Sequence, residues 1–128
     1  MSSIYDVTFA PGMAMAFGTS AVFLPKTDWA QAAGIKDARA YIEVIGIDGE
    51  LEIAPAIQVA DHPDSPGAAT AIGPYRTSND VWYSDGWTLL TGQTDDSKLA
   101  RFGWLVKLTN TGSPGAAWVQ GTINVRTD

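Results

Sequence analysis

His62 is the sole histidine, and it sits in Asp61-His62-Pro63-Asp64. A flanking carboxylate could orient it as a general base or leave it as one metal ligand. A zinc site needs three or four ligands of the His, Cys or carboxylate kind, and the chain has no cysteine. In a polar, proline-containing loop the simpler role is a solvated turn residue. Asp95-Asp96-Ser97 and Asp85-Gly86 resemble fragments of calcium loops, but the spaced pattern that closes on a glutamate is missing. Turn chemistry accounts for both, and a calcium site assembled from separated loops stays open. There is no G-x-S-x-G, phosphate loop or dinucleotide fingerprint. No pair of carboxylates is singled out for glycosidase chemistry. The expectation is a protein that is not an enzyme, with no catalytic residue, metal or cofactor.

What remains is aromatic and apolar. Tyr75, Trp82, Tyr83 and Trp87 could form an exposed platform for a sugar ring, with nearby Asp, Asn and Arg for polar contacts. The same types also fill the cores of β-sandwiches. Trp82 and Tyr83 are adjacent in an apparent strand and so point to opposite faces; at least one lies off the core. A second set, Phe9, Met13, Met15 and Phe17, lies in a small-residue segment between Ile4 and Phe23. With Trp118 these are the candidate partner contacts, because Trp is enriched at binding hot spots.

The elements that must position these residues are short and β-rich. At 128 residues the chain fits one domain, with 45% hydrophobic and 17% charged residues. Fourteen acidic against eight basic residues give a net charge of −6. That repels phosphate backbones and argues against general nucleic-acid binding. No basic cluster suggests an anionic membrane surface. The apolar run from Ala10 to Ala21 is broken by Pro11, Gly12 and Gly18 and is too short to span a bilayer. Lys26 is the first basic side chain, so no secretory signal is expected.

Ile4 to Phe9 reads as a first strand or an extended arm, and Ser20 to Leu24 as a strand closed by Pro25. Residues 1–24 are thus an N-terminal arm or first strands, and 25–128 a single β-sandwich domain. A short helix is predicted near residues 28–33, capped by Thr27 or Asp28 and stopped by Gly34. Ala38–Ile47 and Leu51–Val59 read as a hairpin around Asp48-Gly49-Glu50, with Pro55 forcing an edge, a bulge or a break. Frequent turns and almost no helix predict an all-β fold, an antiparallel β-sandwich or barrel.

The last two strands read as another hairpin. Its apolar face carries Ala100, Phe102, Trp104, Val106 and Leu108 opposite Val125, Ile123, Gly121, Val119 and Ala117. Trp104 is then core and covers the backbone at Gly121. Trp118 falls on the polar face beside Lys107. There it packs under the lysine stem, is covered by the N-terminal arm, or anchors an interface.

RFGWLVKLTN, the Gly/Ser/Pro turn after it and the strand close to the terminus resemble small phage virion proteins. YIEV…LEIAPAIQV, followed by a polar loop and Trp-containing strands, is similar to the jelly-roll or galactose-binding-like sandwiches of head-decoration and minor capsid proteins. The resemblance spans residues 38–128. It implies a jelly-roll-like form of the sandwich, and a non-enzymatic virion structural protein on the outer capsid surface that decorates or stabilises a phage capsid. The implied partners are the major capsid protein or another virion protein. A homo-oligomer is expected, trimers being frequent in that role, with neither nucleic acid nor membrane as partner. The alternative is a carbohydrate-binding module or lectin using the aromatic platform.

Overall fold

Two antiparallel sheets carry the chain in a computed structural model that describes residues 3–32, 34–90 and 99–127. The strands are β1 (Ser3–Ala16), β2 (Val22–Pro25), β3 (Ala30–Gln31), β4 (Ile35–Asp48) and β5 (Leu51–Ala60). After them come β6 (Pro66–Ala71), β7 (Val81–Tyr83), β8 (Thr88–Leu89), β9 (Leu99–Leu108) and β10 (Gly115–Thr127). One sheet runs β1-β10-β4-β7, with β8 also on β4; the other runs β2-β9-β5-β6, with β3 also on β9. The pairs nest from the ends inward: β1 with β10, β2 with β9, β4 with β7, β5 with β6. This is one long antiparallel ribbon, rolled until β10 also meets β4 and β9 also meets β5. That winding is the jelly-roll plan.

Both predicted hairpins are corrected by this order. β4 and β5 lie in different sheets, and so do β9 and β10. The burial predicted for their faces holds: Ala100, Phe102, Trp104, Val106 and Leu108 are buried, as are Ala117, Val119, Ile123 and Val125. They meet across the core rather than along a ladder. Alternation fixes which face of a strand is buried, but not whether the next strand lies beside it or above it. Trp104 does cover Gly121, from the opposite sheet: a Cβ on Gly121 would come within 3.1 Å of the Trp104 ring and collide with the Tyr41 carbonyl. Trp118 is not beside Lys107, which belongs to the other sheet and lies 4.6 Å from the Tyr75 ring centre.

The helix predicted near residues 28–33 is also corrected, over the part of that range described. Pro25 pairs with Gly103 and Ala30 with Ala100, so residues 26–29 stand opposite only Arg101 and Phe102. The chain bows outward there and returns as β3. One turn of helix is too short to offset its nucleation cost. Bonds to β9 serve the backbone instead: Lys26 N–H and Thr27 N–H both donate to the Phe102 carbonyl, and Phe102 N–H donates to Thr27 Oγ1.

β1 is an edge strand paired along its length with β10. Its register shifts between Phe9 and Gly12, at Ala10-Pro11. Proline has no N–H to give a ladder and is tolerated at such a bulge. The bulge reverses the inward parity: Phe9 is buried before it, Ala14 and Ala16 after it. Met13, Met15 and Phe17 are thereby turned to solvent.

Burial raises the phenol pKa of Tyr5, of Tyr41 (where Glu43 adds to it) and of Tyr75 (where Glu52 adds). A phenol that ionises less readily in the folded chain loses its proton more easily on unfolding. Its contribution to stability is complete below the ordinary tyrosine value of about 10 and is lost as pH rises through the elevated folded values. The urea midpoint is therefore expected to fall as pH rises above about 10, and a flat profile there would count against these environments.

Candidate functional site

The outer face of the β1-β10-β4-β7 sheet divides into a self-satisfied polar part and an uncovered apolar end. In the polar part Asn124 accepts a hydrogen bond from Arg39 Nε at 3.1 Å and donates to Asp6. Gln120 donates to Glu43, which also accepts from the Tyr41 hydroxyl. Arg126 forks onto Asp37, and the pair holds the guanidinium pKa above its ordinary value, against the opposing effect of burial. The Trp87 ring lies 4.6 Å from the Arg39 guanidinium and 4.4 Å from that of Arg126.

At the apolar end Met13, Trp118 and Gly46 are partners across three strands, with Met15, Ala116 and Asp48 in an adjoining row. Met13 is 57% exposed, Trp118 44% and Ile45 45%, too open for core residues of that size. Gly46, the β4 partner of Trp118, has no side chain of its own, and a Cβ there would have open space around it. Ile45 enters because the β10–β4 register shifts beside Trp118; strict alternation does not reveal such a position. Around the end of β1 the surface continues into a pocket of about 340 Å³ lined by Met15, Phe17, Val22, Leu24 and Val106, with Phe17 72% exposed at its mouth.

Of the five candidate partner residues, Met13, Met15, Phe17 and Trp118 therefore occupy one continuous surface. Phe9 does not join them: it is 5% exposed and packs edge-on against Trp104 with ring centres 5.0 Å apart.

The glycan candidates are dispersed. Tyr75 lies beneath Lys107. Tyr83 is exposed and rests on Tyr41 with ring centres 4.9 Å apart. Trp82 packs inward against the core and over Gly73. Trp82 and Trp87 share an open depression of about 300 Å³ that also includes Ser84, Asp85 and Thr88. His62 is in the exposed loop after β5, where its Nδ1 accepts from the Asp64 N–H at 3.2 Å, a turn contact. Asp85-Gly86 is an exposed turn between β7 and β8. Asp95-Asp96-Ser97 lies outside the described residues. Among the described residues no three His, Asp or Glu side chains gather where a metal ion could be held.

No protein-family model matches the sequence, and no curated protein sequence matches it. Solved structures do match in fold. The structure of the infectious bursal disease virus Gt strain superposes with a TM-score of 0.61 at 9% identity, over 98% of this chain and 33% of that one. A mutant VP2 protein of the same virus, in derived T=1 particles, gives 0.60 at 7% identity over 98% and 32%. The VP2 subviral particle gives 0.58 at 9% over 98% and 32%. This chain thus spans about a third of the length of the chains it matches. At such identities the likeness is one of fold.

Proposed function

We propose that this domain is a non-enzymatic virion structural protein that decorates or stabilises a capsid, a phage head being the setting its sequence pattern resembles. The observation that carries the reading is the continuous apolar surface of Met13, Met15, Phe17, Ile45 and Trp118. Exposed apolar patches of this kind mark interaction sites. It borders the outer edge of β1, which has no strand beside it among the described residues and whose backbone groups can take a further strand from a coat protein or a second copy. The jelly-roll winding is shared with chains from virus particles. A net charge of −6 suits an outer surface away from packaged nucleic acid.

The test is co-expression with the coat protein of the same genome, followed by particle purification. The protein is expected in the particle fraction. The Met13→Ser, Trp118→Ala double variant is expected to lose about tenfold or more in retention, as hot-spot residues do, with an unchanged thermal midpoint. Absence of the unaltered protein from particles overturns the reading. Light scattering of the free protein gives the subunit count, a homo-oligomer being expected.

A further inference from the structure

The bow of residues 26–29 does more than interrupt an edge strand. It carries Trp29 over Arg101, whose guanidinium carbon lies 4.2 Å from the centre of that ring and 5.7 Å from the centre of Phe23. Arg101 Nε donates to Gln58 Oε1 at 2.8 Å. Gln58 is only 9% exposed, and its own amide donates to the Gly67 carbonyl at 3.0 Å. The loop is pinned next door by the Phe102 bonds to Lys26 and Thr27. The guanidinium is therefore held at one nitrogen and packed against two rings, beside an open pocket of about 460 Å³ lined by Pro25, Lys26, Thr27, Asp28, Trp29 and Arg101.

Two of the other three arginines are ion-paired, Arg76 with Asp80 and Arg126 with Asp37. The third, Arg39, is stacked on Trp87 and donates to Asn124 within the polar ladder of the opposite sheet. Arg101 forms no ion pair with an acidic side chain among the described residues, in a chain where acids outnumber bases. A guanidinium fork fixed at Nε presents its terminal nitrogens as a preorganised match to a carboxylate.

We infer that this pocket is a binding site for a single carboxylate group, received by the terminal nitrogens of Arg101. Gln58 is a positioning residue, and Trp29 forms the wall. Asp28 on the rim disfavours polyanions such as phosphates and leaves room for one localised charge. The carboxylate can come from an acidic sugar or from an aspartate or glutamate side chain of a protein. The site is on the opposite sheet from the Trp118 surface and is independent of the capsid reading.

The test is an NMR titration of the intact protein that follows the Trp29 indole N–H. The probes are glucuronate and N-acetyl-glutamate amide, with glucose and N-acetyl-glutamine amide as neutral counterparts. Saturable shifts are expected for the acids with a dissociation constant of about 1 mM, as suits one charged contact, and none for the neutral compounds. Arg101→Lys keeps the charge and the stem but loses the fork, and is expected to weaken binding about tenfold. Gln58→Leu, which frees the fork to swing, is expected to weaken it less while leaving the thermal midpoint close to that of the parent. A preference for N-acetyl-glutamate amide assigns the site to a protein carboxylate and a preference for glucuronate to an acidic sugar; an equal response supports recognition of the carboxylate group alone. No saturable shift with either acid, equal shifts with the neutral compounds, or unchanged affinity in a folded Arg101→Lys variant overturns the inference.

Discussion

Trp104→Ala is expected to cost about 3–5 kcal/mol of folding stability, the range for removing a large aromatic from a core. Set against a typical total of about 5–15 kcal/mol, that leaves the chain near unfolding. Trp104 is 1% exposed, on β9 between Leu24 of β2 and Pro55 of β5. Its ring reaches across the sandwich to lie over the Gly121 backbone, and Phe9 meets it edge-on. Neither neighbour can close the space: Gly121 has no side chain, and Phe9 is fixed on an edge strand just before the Ala10-Pro11 bulge. The cavity therefore persists, and the cost lies toward the upper part of the range. Trp118→Ala removes a side chain of the same size from the outer face and is expected to change stability by about 0.5 kcal/mol or less. Paired urea unfolding curves measure both. Equal losses for the two would contradict the division of labour between these tryptophans.

That division was readable from the sequence, because it depends only on alternation. Trp104 shares parity with Phe102 and Val106, Trp118 with Gln120 and Thr122, and parity survives any pairing that keeps the strands extended. Strand partnership was not readable. A chain that leaves Leu108 and returns at Gly115 buries the same side chains whether it turns within a sheet or crosses to the other one. The β1 bulge was half legible: Pro11 marks a break, but the reversal that buries Phe9 and exposes Met13 needs the register with β10. The lost helix near residues 28–33 shows local propensity overridden by a partner strand, since Phe102 offers the loop two backbone–backbone bonds and a third to the Thr27 hydroxyl, which one helical turn could not match. Arg101 gave no local signal at all. Its importance comes from Trp29 and Gln58, which are distant in sequence and meet it only when β9 sits between β3 and β5.

Arg126→Met is expected to be the other severe change. Asp37 is 3% exposed, and Arg126 satisfies both of its oxygens, Nε donating to Oδ1 at 2.9 Å and a terminal nitrogen to Oδ2. Methionine keeps a flexible apolar stem against Trp87 but leaves the Asp37 charge buried without its counter-ion. Breaking a fully buried pair in this way costs about 3–5 kcal/mol. The Arg126 side chain is 31% exposed, so solvent reaches the site and the loss is expected below that range. The informative comparison is with Asp37→Asn added to Arg126→Met. Removing the stranded charge is expected to restore part of the loss, making the double variant more stable than the single one. A double variant no more stable than Arg126→Met would mean that the guanidinium acts through its packing on Trp87 rather than through its charge. The pair sits where β10, β4 and β8 meet, with Arg126 opposite Asp37 and Asp37 opposite Leu89. Its loss is therefore expected to loosen this end of the sheet first, visible as faster amide exchange at Val125 and Ala38 than at Val119 and Val44. The Met13–Trp118 end should keep its protection, which separates damage to the fold from damage to the proposed contact surface.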